Sequence, residues 1–272
     1  MPQLLITLLL ILLPIALVCG VIYLCQKRAY EHTEYFTATR KPYRAVRRDV
    51  GLWGEYHTYR KLSKLPGEKR FLFNCYVPKD GGAFSEVDLI MLHSSGVYVF
   101  ESKNYSGWIF GNEADRQWTQ SFRNGRKERF FNPLMQNNSH IKQLQRFLPE
   151  LTREAFQSVI VFSERCELRK VTLTSEQHLV VKRDRLLRAL ASYLRRQLLS
   201  PADIEAIYQR LFPQTQLTDQ QKQAHVRRVT DIAKNRICPY CGSALVVRTA
   251  KKTGNQFLGC SKYPACKYTA NG

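Results

Sequence analysis

Two acidic residues and one lysine on two neighbouring predicted strands form the strongest chemical signal in the sequence. The first strand carries Asp88, and the second carries Glu101 and Lys103, which share a face because side chains alternate along a strand. If Ser94–Ser95 is a two-residue turn, Asp88 lies opposite Glu101, with Cβ atoms about 4.5–5.5 Å apart. Carboxylates this close repel each other unless a cation lies between them, and such oxygen ligands suit Mg²⁺ or Mn²⁺.

Two alternatives to this metal site stay open. A three-residue turn ending at Gly96 would pair Asp88 with Ser102 and separate the two carboxylates. A salt bridge from Lys103 to one acid at a strand end would require no metal. We favour the metal site because two acids and a lysine converge on adjacent strands that are apolar on both faces, a pattern typical of buried strands.

The elements that position these residues follow from periodicity and from turn signals. We predict strands at 70–77, 84–92, 97–103, 107–111, 116–122 and 156–163. We predict helices at 50–65, 184–199, 202–212 and 218–235, and one from Asn132-Pro133 to Phe147. Asn132 is a good N-cap and Pro133 fits the first helical position, so this start is the sharpest boundary in the chain.

Four ordered motifs resemble those of the nuclease-related domain (NERD) over about residues 48–165. They are Gly54-Glu55, Glu86-Val87-Asp88, Glu101-Ser102-Lys103-Asn104 with Ser106-Gly107, and Asn132-Pro133-Leu134-Met135-Gln136. That family is similar to the PD-(D/E)xK nuclease superfamily, so the resemblance implies an α/β core with a central mixed sheet. Val87 stands where the superfamily name has proline, a common departure.

The resemblance also implies roles for individual residues. Asp88 and Glu101 would ligate Mg²⁺ or Mn²⁺, with the carbonyl of Ser102 as a third ligand. Lys103 would orient or deprotonate the attacking water. Glu55 would complete the metal shell, and Gln136 would position the phosphate or a metal-bound water. The implied catalytic set is Glu55, Asp88, Glu101, Lys103 and Gln136, and the implied chemistry is metal-assisted phosphodiester hydrolysis.

Two histidines lie near these motifs. His140 is one helical turn after Gln136 and can face the site, whereas His57 follows Glu55 by two positions. We expect both to be packed or solvated histidines rather than ligands.

The C-terminal tail contains four cysteines with the spacing of a zinc site. Cys238 and Cys241 form a C-x₂-C pair, and Cys260 and Cys266 follow after 18 and five intervening residues. Such a short segment does not fold without a staple, so we predict one structural Zn²⁺ held by four thiolates.

The tail resembles the C-terminal zinc ribbon of type IA DNA topoisomerases over about residues 236–270, which implies DNA binding, with single-stranded DNA favoured. Aromatic and basic residues alternate there in a way that suits base stacking and phosphate contact. The candidate DNA-binding residues are Tyr240, Arg248, Lys251, Lys252, Phe257, Lys262, Tyr263, Lys267 and Tyr268. The chain has no room for topoisomerase catalytic domains, so topoisomerase activity is not predicted.

The N-terminus begins with an apolar run from Leu4 to Leu24, long enough to span a bilayer core of about 30 Å. A cleaved signal peptide needs a positive n-region and a shorter run, and cleavage before Cys19 would leave apolar residues behind it. We therefore predict an uncleaved membrane helix that contacts lipid through residues 4–24. Basic residues follow it, which places the chain after residue 26 in the cytoplasm.

The 272 residues carry 42 Lys and Arg against 22 Asp and Glu, a formal charge of +20. Residues 232–272 contribute +7 without an acidic residue, whereas residues 51–166 contribute only +4. Eight cysteines are too few for a disulfide scaffold, and 44% hydrophobic residues exclude wholesale disorder. The charge predicts an anionic partner, either nucleic acid or an anionic membrane surface.

These signals divide the chain into five predicted parts. They are a transmembrane helix (1–26), a basic juxtamembrane linker (27–47), a nuclease-like domain (48–165), a helical basic connector (166–235) and a C4 zinc ribbon (236–272). We predict a membrane-anchored, metal-dependent nuclease that acts on DNA and takes no small-molecule substrate; the oligomeric state is left open. The alternatives are a catalytically inactive membrane-tethered DNA-binding protein and a basic domain that mainly binds lipid.

Overall fold

The computed structural model describes residues 2–78, 84–218, 220–221, 237–238, 241–249, 256–266 and 268–271. The helices are α1 (Pro2–Glu31), α2 (Glu34–Thr39), α3 (Tyr43–Arg48), α4 (Val50–Leu62), α5 (Pro133–Phe147), α6 (Leu186–Leu190) and α7 (Pro201–Leu211). The strands are β1 (Lys69–Pro78), β2 (Phe84–His93), β3 (Gly96–Lys103), β4 (Gly107–Asn112), β5 (Gln117–Ser121), β6 (Lys127–Phe131), β7 (Phe156–Phe162), β8 (Cys166–Thr172), β9 (His178–Lys182), β10 (Leu245–Thr249), β11 (Gln256–Cys260) and β12 (Thr269–Asn271).

A five-stranded mixed sheet in the order β1-β2-β3-β7-β9 forms the centre of the fold. The first three strands are antiparallel neighbours, whereas β7 runs parallel to β3 and β9 runs parallel to β7. Nearly every residue of β3 and β7 is buried, because helices cover both faces of the sheet. The predicted α/β core with a central mixed sheet is confirmed.

Two apolar cores lie on opposite faces of this central sheet. One core is rich in aromatic residues from α1 to α4, which pack on Phe73 and Phe100 of the sheet. The other core joins α5 and α7 to Ile90 and Val99. The two layers of helices hold the sheet rigidly, and the strand ends are therefore a fixed platform for side chains.

A second sheet, in the order β6-β5-β4-β8, follows the C-terminal ends of β3 and β7 of the central sheet. Its β4 begins four residues after the end of β3, and its β8 begins four residues after the end of β7. Ile109 and Trp118 on its inner face are fully buried against Phe162 of the central sheet, and the rings of Trp118 and Phe162 stack with centroids 6.2 Å apart. We predicted β4 and β5 from the sequence but not β6.

The start of α5 forms as the sequence predicts. The Asn132 side chain accepts a hydrogen bond from the backbone N–H of Leu134, and Pro133 occupies the first turn. The Asn132 amide also donates to the carbonyls of Asp115 and Glu113, at 2.6 and 3.0 Å. One residue therefore caps the helix and ties it to the loop before β5.

The segment 166–235, which we predicted to be a helical connector, begins with two strands. β8 completes the second sheet and β9 becomes the outer strand of the central sheet. The sequence pattern does not predict β8, because this strand is exposed and rich in charged residues. The helix predicted at 218–235 lies almost entirely outside the described residues.

The helix predicted at 184–199 is wrong. The chain forms a 3-10 turn, Arg183–Arg185, then α6 and a second 3-10 turn, Tyr193–Arg195, before it leaves helical geometry. The backbone N–H groups of Leu198 and Leu199 instead donate to the carbonyl of Ser94, at 2.7 and 2.9 Å. These tertiary hydrogen bonds draw the segment under the β2–β3 turn and bury Leu199.

The predicted basic linker at 27–47 is folded rather than extended. The helix α1 continues to Glu31, and its Tyr30 is fully buried. The Tyr30 hydroxyl donates to the carbonyl of Lys41 at 2.6 Å, and its ring packs on Tyr35 and Tyr56. Aromatic packing therefore joins the N-terminal helix directly to the α/β core.

The outward part of α1 is apolar and exposed. Leu10, Leu13 and Leu17 each expose more than 60% of their surface. The stretch Leu12–Glu31 has a mean hydropathy of 1.4 and is long enough to cross a membrane. A membrane span and a signal sequence both fit this length and composition.

Candidate active site and zinc ribbon

The β2–β3 hairpin adopts the predicted register. Ser94 and Ser95 form a two-residue turn, and the pairing runs from His93–Gly96 to Leu89–Phe100. The next step of the same register places Asp88 opposite Glu101, one residue beyond the last paired position. The alternative register with a three-residue turn is excluded.

Lys103 joins the two elements that meet at this end of the sheet. Its Nζ donates to Glu101 Oε1 at 2.7 Å and to Gln136 Oε1 at 3.1 Å. The helix that carries Gln136 is fixed by Asn137, whose side-chain amide donates to the carbonyl of Val99 at 2.8 Å. The salt bridge that we considered as an alternative is therefore present, and it is part of a larger cluster.

Helix α4 brings Glu55 to the same cluster because several contacts fix the helix against the end of β3. Thr58 Oγ1 donates to the carbonyl of Gly54 and lies 3.0 Å from Ser102 Oγ. Asn104 Nδ2 donates to the carbonyl of Val50 at 2.6 Å. Ser102 and Asn104, on either side of Lys103, thus hold the helix in place.

Gly54 is required by this close approach. A Cβ atom added at position 54 would lie 2.8 Å from Asn104 Cβ. We expect Gly54→Ala to destabilise the chain by about 1–3 kcal/mol, because overpacking forces the helix away from the sheet. Thermal unfolding of the full chain in detergent measures this. Gly51→Ala on the same helix meets only the Asp49 side chain, at 3.2 Å, and should change the unfolding temperature little; equal effects of the two changes would contradict the assignment.

The three carboxylates have divergent electrostatic environments. Burial, together with the charges of Glu101 and Glu55, raises the pKa of Asp88 well above its ordinary range. Burial raises the pKa of Glu55 from 4.5 to about 7, assisted by the charge of Glu86. Burial also opposes ionisation of Glu101, but nearby His140 and Lys103 outweigh it and lower the pKa of Glu101. Groups of buried acids with strongly shifted pKa values are common at the functional sites of proteins.

Lys103 stays protonated in this environment. Burial alone would lower its pKa, but the Glu101 carboxylate at 2.7 Å outweighs burial and raises the pKa of Lys103 above its ordinary value. Of the two roles that the resemblance implies for Lys103, the contacts favour orientation and charge stabilisation over proton abstraction.

The raised pKa of Glu55 predicts a stability that depends on pH. Between pH 4.5, where the unfolded chain releases this proton, and about pH 7, the folded chain holds more protons, so stability falls as pH rises. Asp88 acts in the same direction. Without added divalent metal, we expect the unfolding temperature to fall across this window and the fall to be smaller in Glu55→Gln. Exposed Glu68 provides the control Glu68→Gln, which should follow the unmodified chain; an identical fall in Glu55→Gln would contradict the prediction.

Two buried carboxylate oxygens, Glu55 Oε2 and Glu101 Oε2, have no hydrogen-bond partner in the described part of the chain. A buried acceptor without a donor costs free energy, so two at one site favour a ligand that supplies positive charge there. His140 Nε2 supplies part of it to Glu101 Oε2, at 3.6 Å. The donor set contains oxygen only, which fits a hard divalent ion such as Mg²⁺ or Mn²⁺.

His140 lies at the site, contrary to our expectation of an unrelated packed or solvated residue. It is buried, its Nδ1 is 2.7 Å from Ser85 Oγ, and its Nε2 is 3.6 Å from Glu101 Oε2. Its position one helical turn after Gln136 was the available signal. His57, by contrast, packs edge-on against Trp53 with ring centroids 4.3 Å apart, as we expected.

Arg183 is a site neighbour that sequence reasoning missed. Arg183 is buried, with 4% of its surface exposed. Its guanidinium donates to the carbonyl of Gly54 at 3.4 Å and to Asn104 Oδ1 at 3.3 Å. It follows β9 directly, so it supports the contact between α4 and β3 from a distant part of the chain. No local motif marks it, because Gly54 and Asn104 are more than 70 residues away.

The four tail cysteines converge as predicted. The ligand atoms of Cys238, Cys241, Cys260 and Cys266 all lie within 4.8 Å of one another. They sit between the C-x₂-C turn, where Gly242 adopts a φ of 71°, and the strands β10 to β12. Four sulfurs in one cluster suggest a closed structural zinc site.

The candidate DNA-binding residues of the ribbon differ in their surroundings. Tyr268 is half-buried and packs against the buried core of the ribbon. Tyr240, Lys251, Lys252 and Lys267 lie outside the described residues, and only the backbone of Phe257 is described, in β11. Lys262 and Tyr263 are exposed, with Tyr263 at 58%. Arg248 is turned inward: it donates to the carbonyl of Cys260 at 3.3 Å and its guanidinium lies 5.4 Å from the Tyr263 ring centroid.

Comparison with known proteins gives matches to both regions. The profile of the nuclease-related domain matches residues 50–163, and that of the topoisomerase DNA binding C4 zinc finger matches residues 235–271. The first range contains Glu55, Asp88, Glu101, Lys103 and Gln136, and the second contains the four cysteines. The two matches together suggest DNA binding and a nuclease-related activity.

Three relatives share parts of the chain. An uncharacterized protein of Bacillus anthracis, pXO1-01, is 35% identical over 169 residues, which are 60% of this chain and 77% of that protein. The uncharacterized protein YrdD of Escherichia coli K12 is 51% identical over 37 residues, 14% of this chain and 19% of its own. DNA topoisomerase 1 of Pyrococcus horikoshii is 53% identical over 32 residues, 12% of this chain and 5% of its own. No solved structure matches the chain significantly.

Proposed function

The chain belongs to the nuclease-related domain family, and on that premise we propose that it is a membrane-anchored, metal-dependent nuclease that hydrolyses phosphodiester bonds in DNA. The observation that carries the proposal is the cluster at the end of β3. There, Lys103 bridges Glu101 and Gln136 beside two buried carboxylate oxygens that have no hydrogen-bond partner among the described residues.

The residues that would hold the metal are Asp88 and Glu101, with Glu55 completing the shell. A divalent ion supplies Lewis-acid polarisation of the phosphate and lowers the pKa of a bound water. Its charge would also offset the burial and the repulsion from Glu101 and Glu55 that raise the pKa of Asp88.

The chain's own residues supply the remaining catalytic effects. Lys103 presents a fixed ammonium group, which can orient the attacking water and offset charge that develops on the phosphate. Gln136 accepts from Lys103 through Oε1, and its side-chain NH₂ group is the donor that would bind a phosphate oxygen. His140 positions Glu101 from the opposite oxygen, at 3.6 Å.

The N-terminal helix supports anchoring in a membrane rather than cleavage as a signal peptide. Tyr30 at its end is fully buried in the aromatic core, and Tyr43 donates to Gln26 Oε1 at 3.0 Å. Removal of α1 would therefore open the core of the folded domain. Arg44, Arg47 and Arg48 cluster near Tyr23, at the base of the helix, which agrees with a cytoplasmic orientation for the rest of the chain.

The test is cleavage by the full chain in detergent, on single-stranded, duplex and branched DNA with Mg²⁺ or Mn²⁺. We expect products that depend on the metal and on protein concentration. DNA binding without cleavage under every metal would overturn the proposal and favour the catalytically inactive tether.

A further inference from the structure

The second sheet has an outer face that no motif of the sequence identified. Ile109 and Trp118 point to the buried side. Because side chains alternate, Phe110 and its cross-strand partner Thr119 point outward. The register extends this outer face to Arg129 of β6 and Lys170 of β8, so Arg129, Thr119, Phe110 and Lys170 form one row across four strands.

Two phenylalanines are exposed on this face. Phe110 is 38% exposed and Phe131 is 47% exposed. The register places Phe131 opposite Gln117, two strands and two residues away from Phe110, which separates their Cα atoms by roughly 12 Å. Large exposed aromatic side chains on a sheet, flanked by polar residues, mark an interaction surface. Trp108 lies on the same face, and the guanidinium of Arg169 lies 5.4 Å from its ring centroid.

The cations around the two phenylalanines are free to bind an anion. Lys127, Arg129 and Lys170 form no ion pair or side-chain hydrogen bond within the described ranges of the chain. The acidic residue of β8 on this face, Glu167, is neutralised by Arg169 at 2.8 Å. The face therefore presents aromatic rings between unpaired positive charges, and exposed Asp115 at the edge of the sheet is a negative charge beside them.

A shallow cavity of about 310 Å³ lies on the outer face beside Phe110. Its lining includes Phe110, Asn112, Asp115, Gln117, Thr119 and Lys170. The amide and hydroxyl groups there can donate to and accept from the edge of an unpaired base. A flat aromatic wall with polar groups around it suits a planar heterocycle.

The zinc ribbon continues this face at one end. Arg116, the residue before β5, donates through Nη1 to Thr269 Oγ1 of the ribbon at 2.8 Å, and its guanidinium lies 5.4 Å from the Tyr268 ring centroid. The backbone N–H of Asn132, directly after Phe131, donates to the carbonyl of Arg116 at 3.0 Å. Phe131 and Tyr268 are thus neighbours of the same arginine.

We propose that the outer face of the second sheet, with Phe110 and Phe131 as stacking platforms and Arg129 and Lys170 as phosphate contacts, binds single-stranded nucleic acid in continuity with the ribbon. The inference rests on the proposed nuclease function and names its substrate class. Exposed rings favour single strands, because bases in a duplex are already stacked on each other and cannot stack on a side chain. A protein partner is the rival occupant, and it predicts no effect of these residues on nucleic-acid binding.

The test measures binding of the full chain in detergent to fluorescent oligo(dT), oligo(U) and duplex DNA by anisotropy, without added divalent metal. Phe110→Ala with Phe131→Ala should weaken oligo(dT) binding about 10- to 100-fold, and duplex binding much less. Arg129→Ala with Lys170→Ala should reduce the slope of log affinity against log salt by about 0.7 for each lost phosphate contact. Oligo(U) is a second single strand, and the loss of both rings should weaken its binding as well; unchanged binding of both single strands would overturn the proposal.

The matched controls are Phe212→Ala, an exposed phenylalanine after α7, and Arg185→Ala with Arg188→Ala, two exposed arginines around α6. They should leave all affinities unchanged. Ultraviolet crosslinking of bromodeoxyuridine-substituted oligonucleotides should label peptides that contain Phe110 and Phe131.

Failure of this inference and failure of the nuclease proposal are distinguishable. A chain that cleaves DNA, but whose Phe110→Ala/Phe131→Ala variant binds oligo(dT) like the control and crosslinks only through the ribbon, overturns the role of the sheet. A chain that loses binding in this variant, yet cleaves nothing with any metal, supports the binding face and overturns the nuclease.

Discussion

Replacing Asp88 by Asn should abolish cleavage and stabilise the metal-free fold at the same time. Cleavage is expected to fall about 10²- to 10⁴-fold, because the change removes a metal ligand and a negative charge from the reacting centre. The fold should gain stability because the raised pKa of Asp88 reflects burial of its charge first and repulsion with Glu101 and Glu55 second, and a neutral asparagine experiences neither. A gain of about 1 kcal/mol corresponds to roughly 2–4 °C in the unfolding temperature of a chain of this size.

The two readouts for Asp88→Asn are the cleavage rate with Mn²⁺ and the thermal unfolding temperature without added metal. Asp184→Asn is the matched control, because Asp184 is exposed and its carboxylate lies 3.9 Å from Arg185. It should change neither quantity by much. If Asp88→Asn lowers the unfolding temperature or retains full cleavage, Asp88 is not a metal ligand held at an electrostatic cost to the fold.

Loss of the ribbon zinc is the second large effect that we expect. Cys238→Ser with Cys260→Ser removes two of four ligands, and a structural zinc site contributes about 10–16 kcal/mol to the folding of its segment. Zinc content should fall from about one ion per chain to none, and the ribbon strands β10 to β12 should unfold. Affinity for single-stranded DNA should fall at least about tenfold, because Tyr263 and Tyr268 lose the positions that the folded ribbon gives them.

The control for the ribbon is Cys19→Ser with Cys25→Ser, two exposed cysteines of α1. It should retain zinc and DNA affinity. Zinc content is measured by atomic emission and affinity by anisotropy, both on the full chain. Retention of full DNA affinity by the chain that has lost its zinc would contradict the role given to the ribbon.

The local parts of the site were predictable from the sequence because short-range chemistry fixes them. The two-residue turn at Ser94–Ser95 sets the hairpin register, so Asp88 and Glu101 follow from simple counting. Asn132-Pro133 fixes the first turn of α5 and hence the position of Gln136. The spacing of the four cysteines likewise predicts that they form one cluster.

The parts that depend on distant segments were not predictable. Arg183 reaches Gly54 across 129 positions of sequence, and no pattern in either segment records that contact. The chain around Leu199 is not helical, despite its helical sequence pattern, because the backbone N–H groups of Leu198 and Leu199 donate to the carbonyl of Ser94. Local preference was outweighed in both cases by tertiary hydrogen bonds, which a single sequence does not reveal.

The folded base of α1 is a further case, with a functional consequence. Residues 27–47 looked like a charged linker because their arginines dominate the composition, yet Tyr30, Tyr35 and Tyr43 are the residues that decide their structure. The rings of Tyr30 and Tyr35 pack on Tyr56, which is the residue next to Glu55. The membrane anchor that we propose and the helix that carries a candidate metal ligand therefore share one aromatic core.

The most direct test of the account is cleavage of single-stranded DNA by the full chain with Mn²⁺, compared between Lys103→Met and Lys142→Met. Lys142 is an exposed lysine on the helix that carries Gln136, so its replacement removes the same charge without touching the cluster. We expect Lys142→Met to cleave like the unmodified chain and Lys103→Met to be slower by about 10²- to 10³-fold. Equal cleavage by both variants would contradict a catalytic role for Lys103.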